Sequence, residues 1–140
     1  MMKRLICLDV GDARIGVAVS DSTRTIATPV EVIHRVGWGP DCRRIKTLCD
    51  LYQTDLVLSG LPLNMDGTEG FQAEKVRRFC EQVEKQGLKV IFQDERLTTV
   101  AAEEALQNGG VSRADQKQVV DKVAAAVILQ QWLDERHHAE

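Results

Sequence analysis

Three acidic residues stand in places where an apolar pattern gives them little structural excuse. Asp9 lies near the end of the run LICLDVGDARIGVAVSD (5–21), Glu95 just past an apolar stretch in FQDERLTT (92–99), and Asp121 inside QVVDKVAAAVIL (118–129). Each also has an ordinary reading. Asp9 could cap an Asx-type turn before Gly11, although Asp12 sits in the turn itself and suits that task better. Asp94 and Glu95 would both favour a helix N-terminus. Asp121 opens a helical face that continues through Ala124, Ala125, Ile128 and Trp132, and a buried acid there needs a partner such as Lys117 or Lys122. Taken together, the three acids raise a different prospect. If they converge near the end of the first strand they repel, by about 4 kcal/mol for two unit charges ~4 Å apart at an effective dielectric near 20. A fold keeps such a cluster when a cation neutralises it. Oxygen ligands without Cys or His favour Mg²⁺ or Mn²⁺. Two such ions, roughly 3.5–4 Å apart, can activate a water and stabilise the leaving oxygen of a phosphodiester.

The elements that must position these acids follow from the pattern of the chain. Residues 4–10 and 14–20 read as strands joined by a short turn at Gly11-Asp12, a hairpin. Residues 26–36 are rich in β-branched side chains, with Pro29 indicating an edge or a bulge. GWGPD (37–41) breaks the pattern, and Ile45, Leu48, Cys49 and Tyr52 then recur at helical spacing. A buried strand at 55–60 leads into the loop LPLNMDGTEG, dense in Pro, Asn, Asp and Gly. Val76, Phe79, Cys80 and Val83 mark the next helix, which Gly87 ends. A strand at 88–93 precedes a helix over roughly 98–107, broken at Gly109-Gly110. Ser112 with Asp115 starts the last helix by the capping pattern, and it runs to about residue 135. The order β-β-β-α-β-α-β-α-α predicts an α/β domain whose early strands are antiparallel neighbours and whose later strands are parallel crossovers. Sites in such sheets form at the carboxyl ends of strands. Asp9 lies at such an end.

Bulk properties limit the alternatives. A chain of 140 residues fits one domain, 1–140, with no repeat or linker composition inside it. No apolar run approaches a membrane-spanning length, and MMKRL leads into a strand without a signal-like segment, so a cytoplasmic protein is expected. Cys7, Cys42, Cys49 and Cys80 form no C-x-x-C pair and read as reduced, packed thiols. His34, His137 and His138 give no zinc spacing. The net charge of −3 argues against indiscriminate polyanion binding, though a local basic patch can still steer nucleic acid.

Four segments, LDVGDARIGVAVSD (8–21), GLPLNMDGTEG (60–70), DERLTT (94–99) and VDKVAAAVILQQWL (120–133), occur in the order found in one family. Nearly the whole chain resembles the YqgF (RuvX) family of RNase H-like proteins, described as Holliday junction resolvases and pre-16S ribosomal RNA nucleases. The resemblance implies an RNase H-like, mixed five-stranded sheet of order 3-2-1-4-5 flanked by helices. It implies that Asp9, Glu95 and Asp121 form the acidic triad, catalytic and metal-binding, with Mg²⁺ or Mn²⁺ as a pair of ions. Arg14, Asn64, Arg96 and Lys117, in or beside the motifs, are the implied nucleic-acid contacts, and Arg113 is a further cation near them. The implied reaction is hydrolysis of a phosphodiester that leaves 5′-phosphate and 3′-hydroxyl ends, on pre-16S rRNA in ribosome biogenesis. Precursor ribosomal particles are then natural partners, no membrane is involved, and the protein is a monomer or homodimer. GWGPD matches none of the motifs, which leaves the Trp38 loop as local variation or a contact surface.

Three rivals remain open at this point. A Holliday junction resolvase acting on branched DNA would share the family and need a stable dimer, with Trp38 or Trp132 as candidate face residues and Trp132 more naturally a core residue. An actin- or sugar-kinase-like nucleotide clamp would need two domains that this length does not supply. A non-catalytic RNA-binding or transcription-associated module would have no use for the intact acids.

Overall fold

The computed structural model describes residues 3–95 and 113–139, with the side chains of the last helix described over 123–136. Its strands are β1 (Ile6–Val10), β2 (Arg14–Ser20), β3 (Ala27–His34), β4 (Leu56–Leu61) and β5 (Lys89–Asp94). Its helices are α1 (Trp38–Leu51), α2 (Phe71–Glu84) and α3 (Arg113–Ala139). The strands form one sheet in the order β3-β2-β1-β4-β5. β1 pairs antiparallel with β2, and β2 with β3, as short connections require. β1 with β4 and β4 with β5 are parallel, each reached through a helical crossover. The expected 3-2-1-4-5 sheet is therefore present, and the helix expected over 98–107 falls outside the described residues.

Alternation along the strands builds two cores. Ile6, Leu8 and Val10 join Ile15, Val17 and Val19 beneath α1 and α2, packed with Ile45, Leu48, Val76 and Phe79. Leu5 and Cys7 face the other way and join Leu58, Ala125, Ile128, Leu129 and Leu133 beneath α3. Because side chains alternate faces, Asp9 continues the α3 face of β1 beyond Leu5 and Cys7. The face predicted for α3 is the packed one: Ala124, Ala125 and Ile128 are fully buried and Trp132 nearly so. The small alanines let the helix lie close against β1 and β2.

Pro29 takes the edge-and-bulge place expected of it, while the start of α1 and the end of α3 differ from the sequence reading. β3 is an edge strand, and its register with β2 shifts between Val17 and Ala18, which pair with Glu31 and Pro29. Pro29 thus sits beside a bulge on an edge, where a missing N–H costs least. α1 starts at Trp38, inside the segment GWGPD. Pro40 is tolerated there because first-turn N–H groups have no partner within the helix. α3 continues to Ala139, a turn beyond the expected end. All four cysteines are buried and unbridged, in keeping with their reading as small hydrophobes. No described helix is long and apolar enough to cross a membrane.

Candidate active site

Two of the three expected acids meet at the carboxyl end of the sheet. Leu8 of β1 pairs with Ser59 of β4, and Gly60 of β4 pairs with Gln93 of β5. Asp9, Gly60 and Gln93 are thus successive positions across three adjacent strands. Glu95 follows β5, held by its N–H on the Leu61 carbonyl at 3.3 Å. From there its carboxyl comes back over β4 to within hydrogen-bonding reach of Asp9. What makes room is Gly60. A Cβ on this residue would overlap Glu95 Oε2 and stand 2.8 Å from Ile128 Cδ1 of α3. A glycine inside a strand often marks such a close approach, but at the head of a Pro-rich loop it reads from sequence as the start of that loop.

The electrostatics match two carboxyls forced together. Glu95 Oε2 is buried with no hydrogen-bond partner among the described residues. Burial, then the neighbouring charge of Asp9 and a hydrogen bond with it, then Asp94, push the Glu95 carboxyl up to about 8. In the protein without ions, Glu95 is therefore a proton donor to Asp9 at neutral pH. Cys7, two residues before Asp9 on the same face, is fully buried, and its thiol is pushed well up by burial and then by Asp9 and Glu95. It stays protonated and forms an inert floor. The oxygen-only donor set and the unpartnered Oε2 fit a hard divalent cation.

The remaining expected residues fall as follows. Asp121 lies in α3, three and four positions before Ala124 and Ala125, and its side chain is outside the described set, as is that of Lys117. Arg96 lies outside the described residues altogether. Among the described residues no three acidic, Cys or His side chains group as a metal site. Arg14 begins β2, and by alternation with Ala18 it shares the face of Asp9. Asn64 is engaged within its own loop: its amide donates to Thr68 Oγ1 at 2.9 Å, its N–H donates to the Thr68 carbonyl at 2.8 Å, and its side chain packs on Gly70.

One supporting pair has no counterpart in the sequence reading. Asp41, in the first turn of α1, is 1% exposed. It accepts from the Val36 N–H at 3.2 Å and pairs with Arg35 Nε at 3.4 Å. Arg35 also donates to the Gly11 carbonyl at 2.7 Å and lies 4.7 Å over the Phe79 ring, while its own N–H reaches the Ala13 carbonyl at 2.9 Å. The turn that follows Asp9 is thus tied to α1 and α2 through one guanidinium. An aspartate beside Gly and Pro reads as an ordinary solvated turn residue, so nothing in the sequence marks it. Asp41→Asn should lower stability by about 1.5–3 kcal/mol, the range for a hydrogen bond to a charged group. Urea unfolding checks this as a reduced midpoint at constant m-value. A shift within error would mean that solvent already screens the pair.

Comparisons with known proteins bear on the fold and on the family. A family profile described as "RuvX: Holliday junction resolvase" matches residues 3–135. The "Putative pre-16S rRNA nuclease" of Clostridium tetani (strain Massachusetts / E88) is 48% identical over 132 residues, covering 94% of this chain and 96% of that one. The protein of the same name from Clostridioides difficile (strain 630) is 49% identical over 132 residues, covering 94% of each. Among solved structures, T. thermophilus RuvC in complex with a Holliday junction substrate aligns with TM-score 0.61 at 18% identity, over 99% of this chain and 97% of that one. The fowlpox virus Holliday junction resolvase aligns with TM-score 0.56 at 14% identity, over 94% and 99%. Those two likenesses speak for the fold, which is RNase H-like. The extent of the family match and the identity to the clostridial proteins go further: the chain belongs to the RuvX family.

Proposed function

We propose that this protein is a divalent-metal-dependent nuclease that hydrolyses phosphodiester bonds of precursor 16S rRNA. The observation that carries the reading is the Glu95 carboxyl folded over Gly60 onto Asp9, with a buried oxygen left without a hydrogen bond among the described residues. Curated relatives with nearly half of their residues identical bear the name of a pre-16S rRNA nuclease, which supports that substrate.

Asp9, Glu95 and Asp121 would hold Mg²⁺ or Mn²⁺; Asp121 lies on α3, the helix whose Ile128 comes close to Gly60. When bound, such ions polarise a phosphoryl oxygen and furnish a nucleophilic water at neutral pH. The chain's own side chains do the rest. Glu95 gives up the proton it shares with Asp9 before the pair can act as two carboxylate donors. Arg14, on the same face as Asp9, holds a backbone phosphate, with Arg96 and Lys117 as further cations from the neighbouring segments. Asn64 acts by bracing the loop between β4 and α2. Cys7 keeps water from beneath the carboxyls.

A second substrate is favoured by the description of the family profile as a Holliday junction resolvase. Cleaving both strands of a four-way junction symmetrically takes two sites, so that reading also requires a dimer. One experiment separates the two. The purified protein is incubated with Mg²⁺ or Mn²⁺ and either precursor 16S rRNA or a four-way DNA junction, beside a chelator control and the Asp9→Asn variant. Metal-dependent cutting of the RNA, absent with chelator and absent in the variant, is the expected result. Cutting of the junction alone, by a dimer, would move the substrate to DNA. No cutting of either, or equal cutting by the variant, would end the nuclease reading.

A further inference from the structure

The segment GWGPD builds one wall of a cavity of about 430 Å³ that opens beside the turn following Asp9. Val10 and Gly11 line it, so it begins one residue beyond Asp9, on the opposite face of β1. Trp38 stands at its rim, 46% exposed, and a T-shaped contact with Phe79 at 6.2 Å holds the indole in place. Trp38 is thus held by a ring contact while nearly half of it stays open to solvent. Arg35 and Asp41 line it as a pair already satisfied by each other and by the backbone. Toward solvent, Asp12 Oδ1 is 3.4 Å from both Gln72 Nε2 and Lys75 Nζ. Contacts that long are at the weak limit of hydrogen bonding. An incoming group can exchange with them at little cost.

The chemistry of these walls selects an occupant. Among the described lining residues two acids, Asp12 and Asp41, offset two cations, Arg35 and Lys75, and leave no excess charge for an isolated phosphate. An exposed indole offers a face to a flat ring. Beside it lie an acceptor-only carboxylate, an amide and an ammonium donor, matching a ring whose edge carries both amino or imino donors and a carbonyl acceptor. We infer that this cavity binds one unpaired nucleobase of the substrate strand, stacked on Trp38 and hydrogen-bonded at its edge by Asp12, Gln72 and Lys75. The inference rests on the nuclease reading above and sharpens its substrate: the strand is single, bulged or frayed next to the bond that is cut. The strand end of β1 would then separate the two events, with the backbone held on the Asp9 side and the base on the Trp38 side.

The test uses full-length Asp9→Asn protein, so that binding is read without turnover. It is titrated with a single-stranded RNA of about 12 nucleotides, within the span of ordinary single-strand sites, and with the same RNA annealed to its complement. Tryptophan fluorescence reports the event, because Trp132, the other tryptophan, is 7% exposed in the core beneath α3. Saturable quenching by the single strand, absent or at least tenfold weaker with the duplex, is expected. Adding Trp38→Ala should weaken single-strand binding, read by polarisation of a labelled RNA, roughly 5- to 100-fold, as for loss of a stacked base. Should Trp38→Ala fail to fold, Gln72→Ala, at the start of α2, should weaken binding severalfold at an unchanged melting temperature. Equal binding of duplex and single strand, or variants that bind like the parent, would overturn the inference while metal-dependent cutting by the wild type keeps the nuclease reading intact. Absence of both binding and cutting would overturn the two together.

Discussion

Glu95→Gln is expected to destroy cleavage and, in the absence of metal, to make the protein more stable above about pH 6. The two effects have one origin. In the ion-free fold the Glu95 carboxyl is pushed from 4.5 up to about 8, chiefly by burial and then by Asp9. An acid whose value is raised on folding binds more protons in the native state than in the unfolded chain. Stability then falls as pH rises through the interval between the two values, here from 4.5 to about 8. The limiting slope is about 1.4 kcal/mol per pH unit. Above about pH 8 the carboxylate is charged in both states and its whole penalty is present. Glutamine is close to isosteric with the protonated acid, can donate to Asp9 as that acid does, and does not titrate. The variant should therefore lose the pH slope over this interval and gain up to a few kcal/mol at pH 8. Chemical denaturation of both proteins in chelator, at pH 5 and at pH 8, is the measurement. A variant no more stable than wild type at pH 8 would show that Glu95 carries no penalty. The same exchange removes an ionic oxygen donor, so cleavage should drop by more than the roughly 10- to 100-fold typical of losing a partner one shell farther out. Mg²⁺ at 100 times its dissociation constant should stabilise the wild type by about 2.7 kcal/mol, and the variant by much less.

This opposition of stability and activity explains why the site was partly legible in the sequence. Asp9 and Glu95 could be singled out because one lies near the end of an apolar strand and the other just past one, and the sheet order then brings the ends of β1, β4 and β5 together. The hairpin of β1 and β2 was legible from two apolar runs interrupted by Gly11-Asp12, and the parallel strands from the helical periods between them. The details that make the site work were not. Whether Glu95 reaches Asp9 depends on a missing side chain on the strand between them, and no periodicity reports that. The role of Arg35 depends on Asp41, six residues later, becoming buried, which its neighbours Gly39 and Pro40 argue against. Local patterns describe what a residue does to its own element. These contacts join separate elements, and only the packed sheet reveals them.

Gly60→Ala adds one methyl group and should cost nearly as much activity as losing a carboxylate. The new Cβ would lie on the α3 face of β4, where it meets Glu95 Oε2 in overlap, Glu95 Cδ at 3.2 Å and Ile128 Cδ1 at 2.8 Å. The two neighbours differ in how readily they yield. Ile128 is fully buried against Leu58 and Ala125, and moving it shifts α3 from the sheet. Glu95 is the end of a longer side chain, so it is the group that gives way. Displaced from over β4, its carboxyl no longer reaches Asp9 and turns toward water. The stability effect should be modest, because overpacking costs about 1–3 kcal/mol and release of the strained carboxyl pair offsets part of it. Activity has no such compensation, since a misplaced ligand about 1 Å from its position costs on the order of 100-fold. The discriminating readout is the pH dependence of stability without metal. A displaced Glu95 titrates near its ordinary value, so the slope between pH 5 and 8 should flatten in Gly60→Ala, as it does in Glu95→Gln. A variant that loses activity but keeps the wild-type slope would locate the damage in α3, and the role assigned to Gly60 would pass to the packing of Ile128.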